Sequence, residues 1–130
     1  MTYNELSGVI LEVAIDIHRR LGPGLLESVY QTILAHELTK RGLQVQKEEH
    51  IPLIWDNLRF DVGFRADLIV NELILIELKS VEQVAPVHKK QVLTYLRITG
   101  KKLGLLINFG EVTLKDGVSR IINGNLEEPD

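Results

Sequence analysis

Apolar residues recur at helical spacing near the start of the chain, and they predict two helices. The first is an amphipathic helix from about residue 4 to residue 20. Its spacing is set by Leu6, Val9, Ile10, Val13, Ala14 and Ile17. The break at Leu21-Gly22-Pro23-Gly24 ends it, and a second helix follows that is expected to end near Gly42. The predicted inner face of the second helix comprises Leu26, Val29, Tyr30, Ile33, Leu34 and Leu38.

The middle of the chain changes to the alternation and the short apolar runs that are typical of β-strands. Strand segments are predicted at 44–49, 51–55, 59–64, 66–70 and 73–79, with a turn at Asp56-Asn57. A third helix over 85–99 ends at Gly100, and apolar strands follow at 103–109 and 118–122. Because this helix joins two apolar strands, we expect them to be parallel with a right-handed crossover.

The element order α-α-β-β-β-β-α-β-β predicts an α/β fold with a mixed central β-sheet flanked by helices. The length of 130 residues favours a single domain over residues 1–130, with 126–130 as a frayed acidic tail. Hydrophobic residues make up 45% of the chain, which is enough to build one core.

Composition then excludes several classes of site. The chain has no cysteine, which excludes disulfides, thiolate zinc sites and cysteine nucleophiles. The first residues lack the form of a signal peptide, and no apolar run approaches about 20 residues, so we expect a cytoplasmic protein without a membrane partner. The net charge is −3, so any contact with nucleic acid must come from a local basic patch or a bound cation.

Glu77-Leu78-Lys79 ends the apolar run 73–79 and is the most informative segment of the chain. Charges at the end of a core strand are costly to bury unless they are paired or bind a metal. Because side chains alternate along a strand, Glu77 and Lys79 point the same way. The segment therefore places a carboxylate beside an ammonium group at one strand end.

The turn between the strands 66–70 and 73–79 decides whether Asp67 joins this pair. A two-residue loop would put Asp67 on the opposite face, whereas a three-residue loop over 71–73 places it directly across from Glu77. Asn71 tolerates left-handed conformations, which makes a loop of odd length reasonable. We predict the three-residue loop because Asp67, Glu77 and Lys79 then converge on one face. Carboxylates at about 5 Å repel unless a cation lies between them, and Mg²⁺ or Mn²⁺ suits oxygen ligands. The alternative is that these are ordinary solvated charges.

Three motifs together carry a family resemblance that spans roughly residues 6–124. Asp67 followed by Glu77-x-Lys79 resembles the signature of the PD-(D/E)xK nuclease superfamily, although Ala66 stands where the name of that superfamily has proline. Gln91-Val92-Leu93-Thr94-Tyr95 resembles the Gln-x-x-x-Tyr motif of RecB-type members. The segment from Gly24 to Tyr30 resembles the motif of the GxxExxY protein family. The resemblance implies a restriction-endonuclease-like core and one nuclease-like domain.

The resemblance also implies roles at a metal centre. Asp67 and Glu77 would bind Mg²⁺ or Mn²⁺, with the Leu78 carbonyl as a further ligand. Glu27 would reach the metal directly or through water, or it is a helix N-terminal Glu favoured by the helix dipole. The ion would polarise a phosphoryl oxygen and lower the pKa of a water. Lys79 would orient that water or stabilise developing charge, or it forms a plain salt bridge with one of the carboxylates.

The third helix carries further candidates for contact with the substrate or the metal. Gln91 and Tyr95 are four residues apart and share a face, with His88 one turn earlier. We expect Gln91 on the inner face, where a polar side chain needs partners. Lys89 and Lys90 belong to a basic run that is either a solvated face or a phosphate contact. The run also includes Arg97, Lys101 and Lys102.

Two aromatic residues of the first helices are ambiguous. Tyr30 could act near the site, or it is a core aromatic whose hydroxyl group finds one polar partner. His18 could bind metal, as in some RecB-type nucleases, or it is a partly buried structural histidine.

The function that these residues indicate is hydrolysis of phosphodiester bonds by a metal-activated water. By analogy with the superfamily, the substrate is expected to be DNA rather than RNA. The alternatives are a binding or scaffold module that keeps the nuclease fold without cutting, and an accessory protein that acts through protein contacts. So small a domain could work as a homodimer or with a partner protein.

Overall fold

The computed structural model describes residues 1–126, which form one α/β domain. Its helices are α1 (Tyr3–Leu21), α2 (Glu27–Lys40) and α3 (Pro86–Thr99), with a short 3₁₀ turn at Leu114–Gly117. Its strands are β1 (Val45–Trp55), β2 (Leu58–Val70), β3 (Ile74–Lys79), β4 (Leu103–Asn108) and β5 (Val118–Ile122). Within the described residues, no helix is both long and apolar enough to cross a bilayer.

The five strands form one mixed sheet in the order β1-β2-β3-β4-β5. Only β3 and β4 run parallel, joined through α3 as predicted, and the other neighbours are antiparallel. Gly100 ends α3 in the left-handed conformation, with φ 74°, as glycine at that position predicts. The mixed sheet flanked by helices confirms the fold class, and it is consistent with a restriction-endonuclease-like core.

Helices cover both faces of the sheet. On one face, α1 and α2 pack against the large cluster that includes Leu68, Ile76 and Leu78. On the other face, α3 packs through Val92 and Leu96 in a second cluster. This cluster also includes Ile69, Leu75 and Leu106. Since Leu75 lies on the α3 face, the alternation along β3 places Glu77 and Lys79 on that face too.

The prediction of four strands before α3 is wrong, because the five predicted segments form three strands. Segments 44–49 and 51–55 are one strand, β1, and segments 59–64 and 66–70 are one strand, β2. Arg65 separates them in the sequence, but it pairs with His50 and the ladder between β1 and β2 continues through it. Its charge is tolerated because the side chain is exposed.

The predicted inner face of α2 is wrong at its beginning. Leu26 is 74% exposed and precedes the helix, Val29 is also exposed, and Gln31 is buried. Tyr30, Leu34 and Leu38, spaced four residues apart, set the buried stripe and turn the flanking positions outward.

The hairpin between β2 and β3 has the predicted odd register. Val70 pairs with Ile74, and the three-residue loop between them holds Asn71 and Glu72 at φ 52° and 59°. Both residues are left-handed, and the Leu73 N–H closes the turn on the Val70 carbonyl at 3.0 Å. Asp67 therefore lies across from Glu77.

The acidic tail predicted at 126–130 lies outside the described residues except for Leu126. Leu126 packs against the larger core cluster, so the frayed segment does not begin at this residue.

Candidate active site at the end of the β2–β3 ladder

Two carboxylates meet where the ladder between β2 and β3 ends. Leu68 and Ile76 are the last paired residues, and Asp67 and Glu77 come next in the same register. Beyond this point, the backbone N–H groups of the two strands donate to carboxylate side chains instead of to backbone carbonyl groups. The Leu78 N–H donates to Asp67 Oδ2 at 2.8 Å, and the Asp67 N–H donates to Glu77 Oε1 at 3.2 Å. These crossed hydrogen bonds fix both carboxyl groups beside each other.

Burial and proximity change the acidity of this pair. Burial, followed by the charge of Asp67, raises the pKa of Glu77 to about 8. Burial also raises the pKa of Asp67, against hydrogen bonds from Leu78 and Glu77 that lower it. A hydrogen bond between the two carboxyl groups raises the pKa of Glu77 and lowers that of Asp67, so the pair shares a proton. A pair that retains a proton near neutral pH is suited to exchange it for a cation.

The oxygen donors at this point fit a hard divalent cation, although the set is smaller than predicted. The Leu78 N–H points toward Asp67. Because the N–H and carbonyl groups of one residue in a β-strand point to the same side, the Leu78 carbonyl oxygen also faces β2. Within residues 1–126, however, no three His, Cys, Asp or Glu side chains converge into a metal-binding group. The structure thus brings Asp67, Glu77 and the Leu78 carbonyl together, but it does not add Glu27 or His18 as a third such side chain.

Lys79 supplies the positive charge of the site without being neutralised by a close partner. Its charge lowers the pKa of Asp67, of Glu77 and of Glu27, although burial outweighs this effect in all three carboxyl groups. Within the described residues, no ion pair of 4.0 Å or less involves Lys79, so the salt bridge that was the alternative role for Lys79 is not formed.

Glu27 begins α2 and faces the same centre from the opposite layer. Partial burial raises its pKa, the charges of Lys79 and His88 lower it, and the charge of Asp67 raises it. These electrostatic contributions come from β2, β3 and α3, so Glu27 lies in the surroundings of the carboxylate pair. Glu27 is exposed, and a carboxylate that faces solvent can approach a substrate or a water.

The side chains of α3 divide between packing and solvent. Tyr95 stacks on Phe64, with ring centroids 4.0 Å apart, and burial, then the charges of Glu77 and Asp67, raise its pKa. His88 accepts a hydrogen bond from the Ala85 N–H at 3.2 Å through Nδ1, which caps the helix.

The inner-face position predicted for Gln91 is wrong, because the side chain is exposed. The buried stripe of α3 passes through Val92 and Leu96 instead, one residue further along the helix. Lys89 and Lys90 are exposed on the same helix.

Tyr30 and His18 have structural positions. Tyr30 is fully buried and stacks on Phe109 at 4.3 Å, so it cannot contact a substrate. Its hydroxyl group donates to the Gly22 carbonyl and accepts from the Leu25 N–H, which holds the glycine-rich turn before α2. The Nε2 atom of His18 lies 2.9 Å from the Glu111 carbonyl oxygen, in the core side of α1.

The sequence reasoning missed Asn108, which holds the loop after Lys79. Asn108 is fully buried at the end of β4. Its Nδ2 donates to the Val81 carbonyl at 2.8 Å, and its Oδ1 accepts from the N–H groups of Val81 and Gly110 at 3.0 Å each. The available signal was a polar residue near the end of an otherwise apolar strand.

Two further contacts hold the same loop in place. Ser80 donates through Oγ to the Leu25 carbonyl at 2.6 Å, which ties the loop to the turn before α2. A Cβ atom on Gly110 would collide with the backbone of Val81, so only glycine allows this close approach.

An open cleft of about 620 Å³ lies beside Glu27 and the loop that follows Lys79. It is lined by Pro23, Gly24, Leu25, Leu26, Glu27, Ser80, Val81, Glu82 and Gly110. Asp67 and Glu77 do not line it, so the cleft meets the surroundings of the carboxylate pair only through Glu27.

Comparison with protein families gives a match that covers most of the chain. The family model of the PD-(D/E)XK nuclease superfamily matches residues 4–121. Comparisons with curated proteins and with solved structures find no match. The matched range includes all the residues of the candidate site.

Proposed function

The chain belongs to the PD-(D/E)XK nuclease superfamily, and from this premise we propose that it is a nuclease that hydrolyses phosphodiester bonds of DNA with the help of Mg²⁺ or Mn²⁺. The observation that carries the proposal is the crossed pair of Asp67 and Glu77 with Lys79 beside it. If Lys79 had only a structural role, an ion pair would neutralise it. Here the carboxylate oxygens of Asp67 and Glu77 and the ammonium group of Lys79 face the same region without such a pair.

Asp67, Glu77 and the Leu78 carbonyl would hold the divalent cation. The raised pKa of Glu77 supports this assignment. If the positive groups of the protein already neutralised both carboxylates, the pKa of Glu77 would not be raised. When bound, such a cation supplies positive charge that polarises a phosphoryl oxygen and lowers the pKa of a water. Glu27, exposed at the start of α2, would hold a water or a further part of the hydrated ion.

Lys79 would act on the substrate. Its ammonium group stands on the same strand face as Glu77, and a positive charge at that position stabilises the negative charge that develops on a phosphoryl group in the transition state. Tyr95 would orient a neighbouring polar group with its hydroxyl while its ring packs on Phe64. Gln91 and His88, on the same helix, would contact the phosphate backbone or the ordered water beside it.

DNA is the proposed substrate by analogy with the superfamily. Lys89 and Lys90 extend from α3 and give the acidic chain a local source of phosphate contacts. The segments Gly24–Tyr30 and Gln91–Tyr95 support membership of the GxxExxY family with RecB-type features. Phosphate contacts alone carry no sequence information, so we propose cleavage without strict sequence specificity.

One observation favours a second candidate, a nuclease-fold module that binds without cutting. Only two carboxylates converge within the described residues, and Gln91 is exposed instead of completing a polar site. This candidate predicts nucleic-acid or protein binding that needs no metal.

Metal-dependent cleavage separates the two candidates. The purified protein is incubated with linear, circular, branched and single-stranded DNA and with RNA, in Mg²⁺, in Mn²⁺ and in EDTA. We expect DNA cleavage that requires the metal, is lost in Asp67→Ala and is retained in Asp16→Ala, an exposed aspartate of α1. If every substrate stays intact with both metals while the protein is folded, the proposal is wrong.

A further inference from the structure

The hairpin of β1 and β2 extends well beyond the rest of the sheet. β2 pairs with β3 only over Leu68–Val70, whereas it pairs with β1 as far as Leu58. Residues 51–64 therefore form a two-stranded segment, here called the ribbon, that no third strand accompanies. Large apolar side chains are exposed on it: Ile54 (63%), Trp55 (68%), Leu58 (59%), Phe60 (49%) and Val62 (50%).

Most of these side chains share one face of the ribbon. Leu53 pairs with Phe60, and Trp55 pairs with Leu58, so the four point to the same side. At the base of the ribbon, beyond the register shift between Ile51 and Leu53, Ile51 pairs with Phe64, and Phe64 stacks on Tyr95 of α3. Two-stranded ribbons are marginally stable in water unless their apolar face is covered. The exposed face therefore indicates a missing partner.

The charges of the ribbon argue against nucleic acid as that partner. Residues 51–64 contain Asp56, Arg59 and Asp61 as their only charged residues. Arg59 is already paired with Asp61 at 3.4 Å. A segment with more carboxylates than cations has no electrostatic attraction for phosphate.

The β1 edge of the ribbon is a poor site for an added strand. Pro52 lacks an N–H group and lies in β1, the edge strand of the sheet, where the register between β1 and β2 also shifts. Gly63, at the same irregularity, allows the two strands to approach, since a Cβ atom there would lie 2.8 Å from Leu53 Cβ. An added strand is therefore disfavoured at the β1 edge, and the apolar face is the surface that a partner would cover.

We propose that the apolar faces of two ribbons pack against each other, so that two copies of this chain form a symmetric dimer. In a two-fold interface the same surface of both copies is in contact, so the apolar face of one ribbon, which has few charges, packs on the apolar face of the other. On this face, the exposed side chains of Trp55, Leu58, Phe60 and Val62 offer roughly 350–450 Å² per copy, since a large aromatic side chain buries roughly 150–250 Å². This is about half of the roughly 800 Å² per partner of stable complexes, and the polar residues around the face would supply the rest.

Trp55 allows a direct test, because it is the only tryptophan in the chain. Its fluorescence reports on the ribbon alone. Sedimentation equilibrium and tryptophan emission are measured from about 0.5 to 100 μM protein, without DNA or metal. We expect a monomer–dimer transition, and over the same concentration range a blue shift of the emission and a loss of quenching by acrylamide.

Matched lysine substitutions assign the interface. Phe60→Lys and, separately, Leu58→Lys keep Trp55 and are expected to weaken self-association about 30-fold or more. Val112→Lys changes an apolar residue that is 87% exposed in a different loop, and it should dimerise as the wild type does. Circular dichroism verifies that each variant is folded.

The proposal is overturned if the folded wild type stays monomeric at 100 μM with solvent-exposed tryptophan, or if both ribbon variants dimerise normally. It is also overturned if Trp55 becomes protected only when DNA is added to a monomer. None of these outcomes depends on nuclease activity, so this test and the cleavage test fail separately.

Discussion

At the scale of single residues, the backbone brings the carboxyl groups of Asp67 and Glu77 together. Each accepts an N–H group from the opposite strand, so the strand ladder holds two like charges in contact. Without a cation, repulsion is relieved by a proton on Glu77, whose pKa is raised to about 8. We therefore expect the pair to respond to pH and to divalent ions together.

The stability of the metal-free protein should fall as pH rises from about 4.5 to 8. Below the pKa of the unfolded state Glu77 is protonated in both states, whereas above it folding must either take up a proton or bury a charge. The loss, discounted for partial exposure, is about 1–2 kcal/mol, or roughly 5–10 °C in Tm. Thermal unfolding in EDTA at pH 5, 7 and 8.5 measures it.

Glu77→Gln removes the titrating group and should flatten this pH dependence, whereas Glu12→Gln, an exposed glutamate of α1, should leave it unchanged. Equal pH profiles for the wild type and Glu77→Gln would show that the folded protein does not hold a proton on Glu77.

Lys79 should be needed for chemistry but not for binding the metal. Lys79→Met removes the positive charge beside the carboxylates, so Mn²⁺ affinity measured by calorimetry should be unchanged or higher. The rate of cleavage should fall about 100-fold or more, as when a charge-stabilising donor is removed from an active site. Lys89→Met is the control, with a smaller effect that disappears at high salt. A Lys79→Met variant that cleaves at the normal rate would contradict the role.

At the scale of elements, the site depends on two loops, the loop after Lys79 and the turn before Glu27, which the buried side chains of Asn108 and Tyr30 hold in place. Asn108 satisfies both backbone groups of Val81, just after Lys79, and Tyr30 satisfies the turn before Glu27. Both side chains are fully buried at the end of the sheet where β3 and β4 finish. The strands position Asp67, Glu77 and Lys79, and the buried polar side chains of Asn108 and Tyr30 fix the loops next to them.

Asn108→Leu should destabilise the protein by about 3 kcal/mol, because it leaves the N–H groups of Val81 and Gly110 and one carbonyl without partners. The free energy of urea unfolding measures the loss. Asn125→Leu, at an exposed position, should change it by about 0.5 kcal/mol or less. An Asn108→Leu protein as stable as the wild type would show that the loop finds other partners.

At the scale of the whole molecule, local signals predicted the fold well. Gly100, the apolar strands 73–79 and 103–109, and the helix between them were sufficient to predict the parallel crossover. The odd hairpin register was predicted because it lets Asp67, Glu77 and Lys79 converge, and Asn71, which tolerates a left-handed conformation, made it reasonable.

Features that depend on distant packing were not predictable in the same way. The exposure of Gln91 follows from a rotation of α3 by one position, which is set by the contact of Val92 with Gly104. The single long strand β2 follows from pairing with β1, and the burial of Asn108 follows from a loop 27 residues away in sequence. Periodicity within one element carries no information about these contacts.

The central claim is that Asp67 and Glu77 together bind a divalent cation, and the most direct test is crystallographic. Crystals of the protein are soaked in Mn²⁺ at pH 8.5 and data are collected at the manganese absorption edge. The account predicts one strong anomalous peak bonded to carboxylate oxygens of both Asp67 and Glu77, absent from Asp67→Ala crystals. Carboxylates still hydrogen-bonded to each other in saturating Mn²⁺, with no anomalous peak beside them, would contradict it.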